Sequence, residues 1–149
     1  NNLTNLINEN IKLLNQLDDS IEIIFKSDSD KVFLESDKEQ LSRVFLNLIK
    51  NSIESIQQKA ENESNFNKKI TIELTDNDGH INLVIVDNGI GFEKFSKNIK
   101  DILNPYFTTK KNGTGLGLSI VNKIVNDHNG KIEFIPKDVG AKIKINFIK

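Results

Sequence analysis

Two asparagines four residues apart, Asn47 and Asn51, enclose Lys50 in the stretch NLIKNSIESI. Spacing of four puts both amides on one side of a helix, one turn apart. Asparagine is a mediocre helix former because its side chain competes for backbone groups, so two on one helix ask for a reason. An amide oxygen is a good neutral ligand for Mg²⁺, which prefers oxygen and keeps several waters. The competing reading is two solvent-facing amides in an Asn-rich chain. A second cluster, Asp87-Asn88-Gly89-Ile90-Gly91, directly follows the apolar run INLVIV. A carboxylate buried where that run ends, Asp87, can accept the amino proton of adenine. Gly89 and Gly91 let the backbone turn sharply and lie close to a flat base. An ordinary turn carries the same residues, since Asp-Asn-Gly is a strong turn signal. The third cluster, Gly113-Thr114-Gly115-Leu116-Gly117-Leu118, runs straight into an apolar-periodic segment. Exposed N–H groups of a glycine loop at a helix start attract anions, phosphate included. GxxxxGK[ST] is absent and no strand precedes the loop, so neither the P-loop nor the dinucleotide fingerprint fits. A plain hinge is the alternative there.

These clusters need elements to hold them. Leu3, Leu6, Ile7, Ile11 and Leu14 recur at helical spacing and predict a first helix. IEIIF (21–25) and KVFLE (31–35) read as two strands joined by a polar turn. Ser36 or Asp37 can cap a second helix, whose stripe Leu41, Val44, Phe45, Leu48, Ile49, Ser52 and Ile56 carries it to about Gln58. A polar loop, AENESNFNKK, follows. KITIEL and HINLVIV are strands around the hairpin turn DNDG (76–79). Residues 87–114 read as mostly irregular, with one short helix through Phe95, Ile99, Ile102 and Leu103. A third long helix is expected from about Leu116 to Asp127, ending near Asn129-Gly130. KIEFI and AKIKINFI complete the strands. This order implies one two-layer α/β sandwich: a mixed, mostly antiparallel sheet with helices on one face and the other face wet.

The 149 residues suit a single domain, and a net charge of -1 predicts no broad electropositive surface for nucleic acid or anionic lipid. Without cysteine there are no disulfides or thiolate metal sites, which fits a reducing compartment. No apolar run approaches the ~20 residues of a membrane span, so direct membrane insertion is not expected. The opening NNLTNLINENIKLL lacks the basic start and continuous apolar core of a signal peptide and reads as the middle of something larger.

Taken together, the clusters resemble the ATPase and kinase superfamily of gyrase, the ninety-kilodalton heat-shock chaperone, mismatch-repair ATPases and sensor histidine kinases. DKEQLSRVFLNLIKNSIESI is similar to the kinase N box, DNGIGF to the first glycine box, NPYFTTK to the F box and GTGLGLSIVNKIVNDHNG to the second glycine box. NLIKNSIESI with LINENIKLL is nearest to kinases of the nitrogen-regulation type. The resemblance implies a Bergerat-type ATP-binding fold over residues 1–149, with ATP and Mg²⁺ as cofactors. It implies that Asn51 holds Mg²⁺, that Asp87 reads the adenine amino group, and that Lys50 and Lys110 meet phosphates. Asn47 and Lys110 would be the catalytic positions. Gly89, Ile90, Gly91, Phe107, Thr108, Gly113, Thr114, Gly115, Leu116, Gly117 and Leu118 would shape the pocket, and residues of about 92–113 would form a mobile lid. Such a segment, long and irregular in a compact domain, usually has a function.

The departures are informative. The kinases' phosphoacceptor needs a His followed by an acidic residue and soon a Pro, and neither His80 nor His128 has that context. The acceptor histidine is therefore expected on a separate helical-hairpin domain of the same kinase, with a response regulator downstream. Ala141 stands where many relatives carry Thr or Ser, so a polar contact to the base is lost. Asn47 stands where hydrolysing relatives carry Glu, and an amide accepts no proton at neutral pH. Glu54, seven residues on, lies about 10 Å further along the helix. The expected function is transfer of the ATP γ-phosphate to that histidine, in the cytoplasm, either free or as part of a membrane-anchored sensor. The rival readings are a hydrolysing ATPase of the same fold and a non-catalytic nucleotide sensor.

Overall fold

The computed structural model describes residues 1–63, 65–91 and 117–149. Helix α1 (Leu3–Leu14) begins at Asn2, whose side chain accepts the Asn5 N–H at 3.3 Å. Its whole apolar stripe is buried. So is Asn10, whose amide donates to the Leu6 carbonyl (3.0 Å) and accepts from the Ser42 hydroxyl (3.3 Å). That polar pair sits in the contact between α1 and α2 (Lys38–Asn62). Asp37, not Ser36, caps α2, taking the Gln40 N–H at 3.1 Å.

Helix α2 runs four residues past the expected Gln58. Ala60 and Glu61 are good helix formers, and Lys59 fastens this end: its ammonium donates to the Asn88 carbonyl (3.1 Å) and lies 4.5 Å from the centre of the Phe66 ring.

The strands are β1 (Glu22–Ser27), β2 (Lys69–Asn77), β3 (His80–Asp87), β4 (Gly130–Pro136) and β5 (Ala141–Ile148), and the third described helix is α3 (Gly117–Asp127). They form one five-stranded sheet in the order β1-β2-β3-β5-β4. Only β1 and β2 pair in parallel, with α2 as the crossover; the other three pairs are antiparallel. The β2–β3 hairpin is tighter than DNDG suggests. Asn77 pairs with His80, and only Asp78 and Gly79, both at positive φ (48° and 80°), make the turn. That is the two-residue hairpin an Asp-Gly pair favours.

KVFLE is not a strand of the sheet. Val32 and Leu34 are buried and Phe33 exposed, as alternation requires, but the partner is the segment before α1. Leu3 N–H donates to Val32 O (2.7 Å), Leu34 N–H to Asn1 O (3.0 Å), and Asn2 bridges Phe33. The alternating pattern reports burial of one side, not the identity of the neighbour. IEIIF instead becomes β1, pairing with β2 across more than forty residues of chain.

Burial alternates strictly along β3 and β5, so one sheet face carries the core and the other is only partly covered. Phe45, Leu48 and Ile49 of α2 and Val121 and Val125 of α3 meet Ile72, Ile85, Phe134, Ile145 and Phe147 on that face. The expected short helix through Phe95–Leu103 and the lid over 92–113 lie outside the described residues.

Candidate functional site

Asp87 ends the central strand. It pairs with Ile70 on one side and Ala141 on the other, which sinks it to 5% exposure. Desolvation raises its pKa from 3.8 to about 6. Several contacts oppose that rise. Gly89 N–H donates to Oδ1 at 2.9 Å, the Ala141 N–H and the distant Lys137 ammonium favour the charge, and Ser52 of α2 turns its hydroxyl toward it. The Ser52 hydroxyl is itself buried and completes no hydrogen bond among the described residues.

The turn after Asp87 is pressed against α2. Ile90 N–H donates to Ser55 Oγ at 3.0 Å, and any side chain at Gly89 would overlap the Ser55 hydroxyl and backbone. Gly140, at φ +76°, crosses directly over the Asp87 carbonyl, leaving no room for a Cβ, and its own carbonyl faces Gly91. The β4–β5 loop thus closes over the end of β3 at Gly140, beside Ala141, the position expected against the base. Asn88 has a different duty. Its amide donates to Asn67 O and accepts the Lys69 N–H (3.0 Å), clamping the start of β2.

On the other side of the turn is α2. Asn47 and Asn51 are half-buried on it, and Lys50 between them is exposed. Ser55 continues the same row at spacing four, so extending the row Asn47, Asn51 by one more step finds it. Ser52 lay hidden in the apolar stripe because serine is small enough to pass for core. Gly117, the first residue of α3, faces this row: a Cβ placed on it would stand 3.8 Å from Asn47 Oδ1. Leu118 is half-buried and packs against the core, so its side chain serves the fold more than the pocket. Phe107, Thr108, Lys110, Gly113, Thr114, Gly115 and Leu116 lie outside the described residues.

The described site therefore joins three of the sequence clusters: an enclosed carboxylate at a strand end, an amide row on α2, and the start of α3. A helix start attracts anions, and a buried carboxylate beside a glycine turn suits a flat ligand with an N–H donor. Neither histidine belongs to it. His80 is on the hairpin, 3.4 Å from Asn146 Oδ1, and His128 is at the far end of α3.

Residues 36–148 match the family profile described as histidine kinase-, DNA gyrase B- and HSP90-like ATPase. Sporulation kinase A of Bacillus subtilis (strain 168) is 32% identical over 123 residues, covering 82% of this chain and 19% of that protein. A putative NtrY-like sensor histidine kinase of Rickettsia prowazekii (strain Madrid E) is 33% identical over 146 residues, 97% of this chain and 23% of that protein. The chain thus spans about a quarter or less of the length of these relatives. The solved catalytic domain of the histidine kinase ThkA superposes with a TM-score of 0.83 at 31% identity, covering all of this chain and 93% of that one. The same kinase has also been solved in complex with the response regulator protein TrrA, where the TM-score is 0.78 at 28% identity over all of this chain and 41% of that one. With that profile covering most of its length, this chain belongs to the family of histidine kinase-, DNA gyrase B- and HSP90-like ATPases.

Proposed function

We propose that the domain binds ATP with Mg²⁺ and donates the γ-phosphate to a histidine on a separate helical-hairpin domain, within a two-component signalling kinase. The observation that carries this reading is the pairing of Asp87, a carboxylate enclosed at the end of the central strand, with an α2 row that reaches the first residue of α3. In this reading Asp87 accepts the adenine amino proton, and Gly89, Ile90 and Gly91 lie along the base. Asn47, Lys50 and Asn51 approach the phosphates with the start of α3. Phe107, Thr108, Lys110 and residues 113–116 complete the site.

The donor set suits Mg²⁺ held mainly by the nucleotide. No group of three His, Asp or Glu side chains among the described residues forms a metal site of its own. Asn51 offers one neutral amide oxygen, which fits an ion that takes its other oxygens from phosphates and water. When bound, Mg²⁺ neutralises charge on the transferring phosphoryl group. Asn47 cannot accept a proton from water, so the site orients the nucleotide without activating hydrolysis. Phosphoryl transfer depends mostly on positioning and charge neutralisation, and an external imidazole supplies its own nucleophile.

A response regulator is the downstream partner in this reading, supported by the ThkA complex with TrrA. The many NtrY-like relatives favour the nitrogen-regulation branch. No described helix is long and apolar enough to cross a membrane, and we place the domain in the cytoplasm.

Incubation with γ-labelled ATP tests the proposal. Alone, the domain should bind nucleotide, gain no stable phosphohistidine and release little phosphate. With the kinase's own histidine-bearing hairpin added, label should move to that histidine. Hydrolysis by the isolated domain near the ~10 s⁻¹ enzyme median would replace this reading with a hydrolysing ATPase.

A further inference from the structure

His128 lies outside the site, yet its two ring nitrogens connect the helices that build it. Nδ1 is 2.8 Å from the Ile124 carbonyl, one turn back on α3, and a carbonyl only accepts. Nδ1 therefore carries the proton. Nε2 receives the backbone N–H of Asp37 at 3.1 Å, across 91 residues of sequence. It must present a lone pair. Both bonds together require one species, the neutral imidazole protonated on Nδ1. Asp37 is the N-cap of α2. The same junction is tied to the sheet, because Ile148 N–H donates to the Asn129 carbonyl at 3.2 Å.

The geometry points to His128 as a positioning residue and a proton-sensitive latch: neutral, it pins the end of α3 to the beginning of α2, and protonated, it lets go. A second proton on the ring would sit on Nε2 and face the Asp37 N–H, donor against donor. The bond to Ile124 survives protonation and the bond to Asp37 does not. Imidazole is the side chain that changes charge in the physiological pH range. The latch acts on the two helices whose other parts bring Gly117 beside Asn47.

The charged groups around the junction are otherwise engaged or exposed. On α2, the Asp37 carboxylate caps Gln40, Lys38 approaches Glu9 at 4.0 Å, and Glu39 is exposed. On α3, Asp127 holds Lys123 at 3.1 Å. After β5, Lys149 holds Asp76 at 2.6 Å. None of these supplies the acceptor that Asp37 N–H loses.

The first test needs no nucleotide and so stands apart from the proposed function. Imidazole ¹⁵N spectra at pH 8 should show the Nδ1–H tautomer at His128. Hydrogen exchange at the Asp37 amide, corrected for its intrinsic pH dependence, should quicken roughly fivefold as the ring is protonated, the effect of losing one modest hydrogen bond. His128→Gln keeps an acceptor oxygen without a titrating group, and in it that pH dependence should vanish. An Nε2–H tautomer, or equal pH dependence in both proteins, overturns the latch. The second test rests on the nucleotide reading. ATP affinity should fall between pH 8 and pH 5.5 more steeply in the wild type than in His128→Gln, with the titration of Asp87 common to both. Parallel falls, with the exchange result intact, overturn the link to the site while leaving ATP binding itself untouched.

Discussion

At the scale of single residues, Asp87 sets two properties against each other. Its pKa is raised, so the fold favours the protonated form. The associated stability is fully present below pH 3.8 and is lost as pH rises through about 6. A rise from 3.8 to about 6 corresponds to about 3 kcal/mol at 1.36 kcal/mol per pH unit. Ligand recognition needs the opposite form, since only the carboxylate accepts from the adenine amino group without donating. Asp87→Asn should therefore raise the melting temperature of the nucleotide-free domain at pH 7.5 while lowering ATP affinity by roughly 1.5–3 kcal/mol in calorimetry. Wild-type ATP affinity should also fall as the pH drops through about 6. Unchanged affinity in the Asn variant would remove Asp87 from the site. At this scale the sequence singled out residue types that were out of place: an aspartate after INLVIV, which the fold buries, and asparagines within a helix, which it leaves half-buried. It left the roles of Ser52 and Gly140 unread, because a small residue in an apolar stripe or a loop shows its duty only once its neighbours across space are known.

At the scale of elements, α2 separates two duties on two of its faces. Leu48 is fully buried and Phe45 nearly so, whereas Asn47 and Asn51 lie half-buried on another flank, where Asn47 meets the start of α3. Leu48→Ala should lower the unfolding free energy by about 2–5 kcal/mol in denaturant titration, as core truncations do, and leave the nucleotide contacts of the folded fraction intact. Asn51→Ala tests the other flank. It should weaken ATP binding in the presence of Mg²⁺ more than in its absence. Equal losses with and without the metal would reassign Asn51 to the fold. Periodicity identified this helix and its core face because 3.6-residue spacing depends on the helix alone. The same method failed on KVFLE. Two-residue alternation marks a half-buried extended segment, but Phe33 and its neighbours pair with the chain's opening residues and not with the sheet. Partner choice is a tertiary fact.

At the scale of the whole molecule, a ligand that binds only the folded form stabilises it by mass action. At a hundred times its dissociation constant, ATP with Mg²⁺ should add about 2.7 kcal/mol, which for a domain of this size raises the melting temperature by roughly 5–10 °C. Asp87→Asn should lose most of that increment while starting from a higher baseline. The same two measurements thus separate ligand recognition from fold stability in one series.

The strand order also has a temporal side. β5 is the last strand to be made, yet it lies inside the sheet, between β3 and β4. Until it exists, β4 has no strand to join, the central strand keeps an open edge, and Asp87 lacks the Ala141 neighbour that encloses it. Non-local pairings of this kind form late, because the closure of a long loop precedes the contacts that reward it. A chain under synthesis can build α1, α2 and the β2–β3 hairpin early, but the enclosure of Asp87 waits for residues beyond 140. In the proposed reading, competence to hold nucleotide therefore reports that the sheet has been finished.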